Sequence, residues 1–145
     1  MTKLTRRNFI KTSALSAIFL SAVPQSLKSF NNVFWDDYDE VLCRKKFKLL
    51  LGNEVQKLPI GDVIAEVGKS FIDTDYVAGT LDKNKSESLV INLTGLDCVT
   101  FVENCLVFAR CVKQGKTTFD DYKAELKKIR YRDGVINGYS SRLHY

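Results

Sequence analysis

Cys98 is the residue whose type and position in this 145-residue chain are best suited to chemistry. It follows a β-rich run, Gly95 and Asp97, and it begins a long segment of helical character. A thiol in the first turn of a helix lies at the positive end of the helix dipole, which favours the thiolate that attacks carbonyl carbons. Backbone N–H groups of the same turn can hold the oxyanion that forms. The pattern predicts a nucleophile, and a small buried residue is the alternative.

The other three cysteines do not suggest a disulfide framework or a metal site. On a straight helix the Cα atoms of Cys98 and Cys105 lie ~10 Å apart and those of Cys105 and Cys111 ~9 Å apart, beyond the ~7 Å limit of a disulfide. Only Cys43 could be bridged to one of them. No Cys-x-x-Cys occurs and the chain has one histidine, so no metal or cofactor is expected. Cys43 is expected in the core, and Cys105 and Cys111 are expected to be core or surface residues.

A thiol hydrolase also needs a base, usually histidine, to accept and return protons. The only histidine, His144, is the penultimate residue of the sequence. Terminal residues fray, so His144 is expected to be structural or to contact substrate, not to act as the base. The sequence therefore offers a candidate nucleophile without a matching base.

Helical patterns dominate the chain after residue 35. The first predicted helix runs from Asp36 to Leu51 and stops at Gly52, and the second starts at Pro59. The second carries an apolar stripe at helical spacing, formed by Ile60, Val63, Ile64, Val67 and Phe71.

Two further helices have recognisable caps. Asp97 can cap a long helix that runs to Gly115. Thr118 opens the last helix, with Asp121 as the acidic partner in its cap. The inner face of that helix is expected to be Phe119, Tyr122, Leu126 and Ile129.

One strand is predicted, at residues 89–93, followed by a turn at Thr94 and Gly95. It has no obvious partner before residue 130, and a lone strand is not stable. Hairpin-type turns are predicted at residues 133–134 and 137–138. Because residues 141–145 stop in mid-pattern, we expect this sequence to be the front part of a larger domain.

Residues 1–26 have the pattern of a twin-arginine export signal. Arg6 and Arg7 precede an uncharged run, residues 12–27, that is shorter and more polar than the roughly 20 apolar residues of a membrane span. An amphipathic first helix is the alternative. The signal predicts a bacterial protein that works in the periplasm or cell envelope, with no stable membrane span once the signal is removed.

Most of the net positive charge of the chain comes from this predicted signal. Of the 22 basic residues, 18 lie outside it, against 17 acidic residues, so no nucleic-acid partner is indicated. The predicted organisation is a signal at 1–26, a linker (27–35) and first helix within 27–56, and one domain at 57–145.

Two segments resemble the NlpC-type papain-like peptidoglycan hydrolases. Residues 76–80, Tyr-Val-Ala-Gly-Thr, resemble that family's Tyr-Val-x-Gly-Gly segment. Residues 95–103 resemble its Gly-x-Asp-Cys-x-x-Phe/Leu-Val segment, in which the cysteine is the nucleophile. The closer resemblance, over residues 57–145, is to the front half of a branch of exported bacterial proteins that behave as N-acetylmuramoyl-L-alanine amidases and were formerly a domain of unknown function.

The resemblance implies an α+β, papain-like fold whose N-terminal helical part carries an incomplete small antiparallel sheet. By similarity Cys98 is the nucleophile and Tyr76 lies beside it, while Asp97 caps the helix and lines the pocket. Arg142 and His144 fall in a segment expected to border the substrate groove. The family's catalytic histidine lies further on and has no counterpart in this sequence.

The implied substrate is peptidoglycan or its muropeptides, cut between the lactyl group and L-alanine. In many NlpC-type endopeptidases a serine follows the cysteine and helps to hold a free amino group; Val99 stands at that position and favours the amidase. Little turnover is expected without the base. The alternatives are an NlpC-type endopeptidase, a non-enzymatic exported binding module or gene remnant, and a disulfide-stapled structural or redox domain. The sequence leaves the oligomeric state open.

Overall fold

A computed structural model describes residues 33–143, so the predicted export signal and His144 lie outside the described residues. This part of the chain forms four α-helices: α1 (Asp37–Gly52), α2 (Ile60–Lys69), α3 (Cys98–Lys113) and α4 (Phe119–Arg130). It also forms four short strands: β1 (Val33–Phe34), β2 (Asp75–Tyr76), β3 (Leu89–Val90) and β4 (Gly95–Leu96). Short 3-10 turns lie at Val55–Lys57, Thr80–Asp82, Arg132–Gly134 and Tyr139–Ser141. The result is a mixed, mainly helical fold with very little sheet.

Local capping chemistry sets the helix starts. Asp36, Asp97 and Thr118 are the N-caps of α1, α3 and α4, and each side chain accepts a hydrogen bond from the backbone N–H of the third helical residue. In all three helices the side chain of that third residue accepts a hydrogen bond from the backbone N–H of the N-cap, which completes a capping box. Gly115, with a left-handed φ of +67°, follows the end of α3. These helix boundaries confirm the sequence predictions.

The side chains at the centre of α3 lie in the middle of the hydrophobic core. This helix packs against α2 on one side and α4 on the other, and also contacts α1. The buried ring of Phe108 lies 4.9 Å from Phe47, 5.0 Å from Tyr122 and 6.1 Å from Phe71, measured between centroids. Tilted aromatic pairs of this kind add to the stabilisation from apolar burial. The packing fixes the direction of α3 and therefore the position of Cys98 at its first turn.

The apolar stripe of α2 is narrower than predicted. Val63 and Val67 are fully buried, and Phe71 is buried just after the helix ends. Ile60, in contrast, is the first residue of the helix and is 48% exposed. Ile64 is partly buried against the core.

The prediction of an antiparallel sheet is wrong. Strand β1 pairs in parallel with β3, and β2 pairs in parallel with β4. Each pair joins segments separated by a long stretch of chain, and parallel pairing requires such a crossover. Within the described residues, the antiparallel contact is a single bridge that joins Tyr131, just before the turn at Arg132–Gly134, to Arg142.

Two further expectations about the strands are corrected. Val33 and Phe34, which were assigned to a linker, form β1 and supply the partner that the strand at 89–93 was thought to lack. That strand is also shorter, since pairing ends at Val90. Three residues later the Leu93 N–H donates to the buried carboxylate of Asp39, at 2.8 Å, instead of to a neighbouring strand.

Candidate active site

Cys98 is the first residue of α3 and its side chain is exposed. The helix begins here because Asp97 Oδ1 accepts hydrogen bonds from Thr100 N and Thr100 Oγ1, both at 2.8 Å. Thr100 Oγ1 in turn accepts from Asp97 N at 2.9 Å. The capping box therefore holds Cys98 between two residues that fix the local backbone.

The first turn of α3 also presents backbone donors. The first helical bond runs from Phe101 N to Asp97 O, at 2.9 Å. Within the described residues, the N–H groups of Cys98 and Val99 have no acceptor. Such groups are suited to hold the oxyanion of a tetrahedral intermediate formed at the adjacent sulfur.

Strand pairing brings Tyr76 to the same place. Tyr76 of β2 lies opposite Leu96 of β4, and Leu96 is two residues before Cys98. Gly95 allows this close pairing, because a Cβ at that position would lie 2.5 Å from Val77 Cγ2. Val77 therefore fills the space beside Gly95.

Cys98 lies between two depressions in the surface. One, which we call the Tyr76 pocket, has a volume of about 250 Å³ and is lined by Phe71, Thr74, Tyr76, Leu96, Asp97, Cys98 and Phe101. Asp97 is its only charged lining residue. Tyr76 and Asp97 were expected beside Cys98, whereas Phe101 was not. That residue could have been found, because it follows Cys98 by three positions and therefore lies on the same helix face.

Neighbouring side chains support the aromatic rings of Phe71 and Phe101 in the Tyr76 pocket. Phe101 meets Phe71 edge to face, with ring centroids 6.2 Å apart. The ammonium of Lys46 lies 3.5 Å from the centre of the Phe71 ring and donates to Ser70 O at 2.6 Å. Burial lowers the pKa of Lys46 to about 8. This support fixes the two rings that form the apolar wall beside the thiol.

The second depression, which we call the Val102 pocket, lies on the α4 side of Cys98. It has a volume of about 340 Å³ and is lined by Cys98, Val99, Val102, Glu103, Leu106 and Ile129. The side chain of Val102 is 53% exposed, so an apolar surface adjoins the thiol on this side as well.

Glu103, in the wall of the Val102 pocket, forms a buried ion pair that the sequence analysis missed. Arg130 donates to both Glu103 carboxylate oxygens, with Nη2–Oε2 at 2.6 Å and Nε–Oε1 at 3.0 Å, and its Nη1 donates to Val90 O. Burial alone would lower the pKa of Arg130, but the hydrogen bonds and charge of Glu103 outweigh it, so the pKa is raised. The pair ties α4 to α3 and to strand β3.

The remaining thiols are far less accessible than Cys98. Cys43, Cys105 and Cys111 are buried, and all four cysteines of the chain are free thiols. Burial raises the pKa of Cys105 to about 11 and that of Cys111 to about 12, and it raises the pKa of Cys43 further. These three residues are part of the core, and a disulfide-stapled domain gains no support.

Arg142 lies apart from the thiol. Its guanidinium is buried and donates to Glu87 Oε1 and Asp82 Oδ1, each at 2.9 Å, and to Leu81 O at 3.0 Å. Glu87 also accepts a hydrogen bond from the hydroxyl of Tyr131, at 2.6 Å. Arg142 lines a different pocket from those beside Cys98. The structure thus brings Tyr76 and Asp97 to Cys98 but not Arg142, and His144 lies outside the described residues.

Neither a metal site nor a membrane-spanning helix is found in the part of the chain that the structure describes. Within residues 33–143, no three histidine, cysteine or acidic side chains come together in a way that could hold a metal ion. Over the same residues, no helix has both the length and the apolar character needed to cross a membrane.

Comparisons with known proteins find matches to the region of the chain that contains this site. Residues 66–145 match the AmiA-like family, described as N-acetylmuramoyl-L-alanine amidase-like. The crystal structure of an N-acetylmuramoyl-L-alanine amidase from Bacteroides uniformis is 42% identical, with a TM-score of 0.55, over 59% of this chain and 36% of that chain. A Bacteroides fragilis structure provisionally described as a xylanase is 50% identical, with a TM-score of 0.50, over 54% of this chain and 34% of that chain.

A search of curated proteins finds no match. The alignments with the two solved proteins cover only 34% and 36% of those proteins, so the chain corresponds to a minor part of each.

Proposed function

This chain belongs to the AmiA-like, N-acetylmuramoyl-L-alanine amidase-like family, and we propose that it is a cysteine-type cell-wall amidase with an NlpC-type, papain-like arrangement. The observation that carries the proposal is the exposed thiol of Cys98 at the start of α3, beside two backbone N–H groups without acceptors among the described residues. The three other thiols are buried, so only Cys98 is available for attack.

The reaction would use Cys98 as the nucleophile. Its thiolate attacks the lactyl carbonyl carbon, a C–S bond forms, and the carbonyl oxygen becomes an oxyanion held by the N–H groups of Cys98 and Val99. Collapse of this intermediate breaks the C–N bond, and the leaving alanine nitrogen takes a proton from a general acid. Water then hydrolyses the thioester and releases the lactyl carboxylate. No histidine is among the described residues that line the two pockets. We propose that turnover stays low unless a general acid is supplied.

The Tyr76 pocket suits the alanine side of the scissile amide. The Tyr76 pocket, with Phe71 and Phe101 as its wall, fits a small apolar group such as the alanine methyl. Tyr76 is 74% exposed, so its hydroxyl can reach the substrate, and Asp97 lines the pocket while it caps the helix. Arg142 contributes indirectly, through the segment it anchors, and His144 is proposed to contact substrate.

The substrate and location follow from the same proposal. The partner is peptidoglycan or a soluble muropeptide, which lies outside the cytoplasm in bacteria. The twin-arginine pattern of residues 1–26 supports export to the periplasm or cell envelope.

A glycosidase reaction has less support at this site, although one matched structure is provisionally described as a xylanase. Glycoside hydrolysis usually requires two carboxyl groups, an acid and a base or nucleophile. The carboxylates around Cys98 are those of Asp97 and Glu103. Glu103 is held by Arg130 in a buried pair, so it is not available as an acid.

Protection of the Cys98 thiol tests the substrate. We expect iodoacetamide to alkylate Cys98 in the folded chain, and we expect N-acetylmuramoyl-L-alanyl-D-isoglutamine to slow this reaction. The matched ligand L-alanyl-D-isoglutamine has a free amine and lacks the muramoyl group, so it should protect little. Equal or better protection by the dipeptide would favour the endopeptidase, and an unreactive Cys98 would favour a non-enzymatic module. Peptide mapping identifies the alkylated residue.

A further inference from the structure

The chain segment that follows α2 forms one side of the Tyr76 pocket. It supplies Phe71, Thr74 and Tyr76 to the pocket lining. Strand β2 fixes its C-terminal end, because Tyr76 pairs with Leu96 of β4. Its N-terminal end lies just after the last turn of α2, where Lys46 reaches it from α1. The shape of the pocket therefore depends on contacts at both ends of this segment.

Lys46 binds the N-terminal end of the segment through its ammonium group. Its Nζ donates to Ser70 O at 2.6 Å and to Ser70 Oγ at 3.2 Å. Ser70 is the C-cap residue of α2, and its own N–H donates to Glu66 O and Val67 O. A cation at this position faces the negative end of the helix dipole, so its positive charge strengthens the contact.

The same ammonium group lies 3.5 Å from the centre of the Phe71 ring. A cation over an aromatic face is attracted by the ring quadrupole, most strongly where water is excluded. Phe71 is 5% exposed and meets the more exposed ring of Phe101 edge to face. The charge of Lys46 thus acts through a buried ring on the ring that forms the open wall of the pocket.

The turn between Phe71 and β2 depends on these contacts. Asp73 has a φ of +67°, a left-handed conformation that non-glycine residues adopt at a cost in energy. Such conformations persist where surrounding contacts enforce them. Ile72 is 70% exposed, so apolar burial does little to fix the turn. Weakening of the contact at Ser70 would therefore let the turn relax.

The charge on Lys46 depends on pH. No carboxylate among the described residues acts on it, and the titratable groups that do are the thiols of Cys105, on α3, and Cys43, on α1. Burial raises the pKa of both thiols, so they stay neutral while Lys46 titrates. Burial lowers the pKa of Lys46 to about 8, an effect that the thiols offset only in part. Lys46 is thus charged below about pH 8 and neutral above it.

We propose that Lys46 is a positioning residue whose positive charge holds the Tyr76 pocket in shape, and that loss of this charge loosens the pocket. The pocket would then hold an apolar group more weakly in alkaline than in neutral solution. That this group is the alanine side of the scissile amide rests on the proposed function, whereas the action of Lys46 on the pocket does not.

The preference of Cys98 between two alkylating reagents tests this inference without a substrate. N-benzyl-2-iodoacetamide carries a ring that can enter the Tyr76 pocket, and iodoacetamide does not. Both reagents react with the same thiolate, so the ratio of their rate constants does not depend on how much thiolate is present. We expect the benzyl preference of the wild-type chain to fall about fivefold between pH 7 and pH 9.

Three variants make the test specific. Lys46→Met removes the charge and should show the weak preference at both pH values. Lys46→Arg keeps its charge at pH 9 and should retain the strong preference there. Lys45→Met, which removes the neighbouring exposed lysine, is the matched control and should behave as the wild-type chain does. Circular dichroism checks that each variant is folded.

The inference would be overturned by a wild-type preference that is the same at both pH values, by an equal fall in Lys46→Arg, or by a wild-type profile in Lys46→Met. If Lys46→Met does not fold, the comparison of the wild-type chain with Lys46→Arg still decides. Because neither reagent is a substrate, failure of this test leaves the amidase proposal untouched. Failure of the muropeptide to protect Cys98 would likewise leave the role of Lys46 in place.

Discussion

At the residue scale, the pair of Glu103 and Arg130 is a buried charge interaction on which stability is expected to depend. Both side chains are 2% exposed, so removal of one leaves the other charged and without its partner in the core. We expect Glu103→Gln to lower the free energy of unfolding by about 3–5 kcal/mol, measured by urea denaturation.

Glu66→Gln is the control for this prediction. Glu66 pairs with Lys69 on the surface of α2, with side chains 37% and 66% exposed. Exposed pairs contribute little, because water screens them and both side chains lose freedom. Similar losses for the two variants would show that Glu103 is not held as described.

The buried thiol of Cys111 predicts a loss of stability in alkaline solution. Burial, followed by the nearby carboxylates of Glu125 and Asp121, raises its pKa from 9.0 to about 12. Above pH 9 the unfolded chain releases this proton while the folded chain retains it, so stability falls as the pH rises from about 9 towards 12. Cys111→Ala should reduce this slope, measured by urea denaturation at several pH values. An unchanged slope would contradict the burial of a protonated thiol.

Sequence reasoning at this scale succeeded where the signal is local. The helix start at Cys98 and the cap at Asp97 were predicted and are confirmed, because they depend on four consecutive residues. The buried ion pairs of Glu103 and Arg142 were not predicted, because their partners lie 27 and 55–60 residues away in the sequence. A charged residue at helical spacing gives no indication that it will be buried and paired.

At the element scale, the contact between Gly95 and Val77 aligns β2 with β4 and so places Tyr76 beside the thiol. An alanine Cβ at position 95 would lie 2.5 Å from Val77 Cγ2 and 3.0 Å from Val77 Cβ. We expect Gly95→Ala to destabilise the protein by about 1–3 kcal/mol, as other overpacked sites do. Thermal or urea unfolding measures the loss.

Two variants make this prediction specific. Gly61→Ala, in α2, adds a Cβ that meets nothing within 4 Å and should be neutral or slightly stabilising. Val77→Ala in the Gly95→Ala background should recover part of the loss, since it removes the clashing methyl. Additive effects of the two substitutions would refute the proposed clash.

The elements that were predicted well are helices, whose caps and periodicity lie within a few residues of sequence. The strands were not predicted well, because each has only two residues and pairs in parallel with a distant segment. Val33 and Phe34 are residue types that favour strands, but their run is too short to predict a strand. Leu89 and Val90 do not reveal whether the partner runs parallel or antiparallel.

At the scale of the whole molecule, α3 links the hydrophobic core to the candidate active site. Its middle is fixed by Phe108 and its first turn exposes Cys98 between the Tyr76 and Val102 pockets. The resemblance noted from residues 57–145 agrees with the family match over 66–145.

We propose that Cys98 is the nucleophile that the muramoyl lactyl group acylates. The 4-nitrophenyl ester of N-acetylmuramic acid tests it most directly, because nitrophenolate leaves with its electron pair and needs no proton from a general acid. The thiol proton passes to buffer as the thioester forms. Intact-protein mass spectrometry should show one acyl adduct, mapped to Cys98 and absent from Cys98→Ala. Equal acylation of Cys98→Ala, or no adduct on the folded chain, would contradict the account.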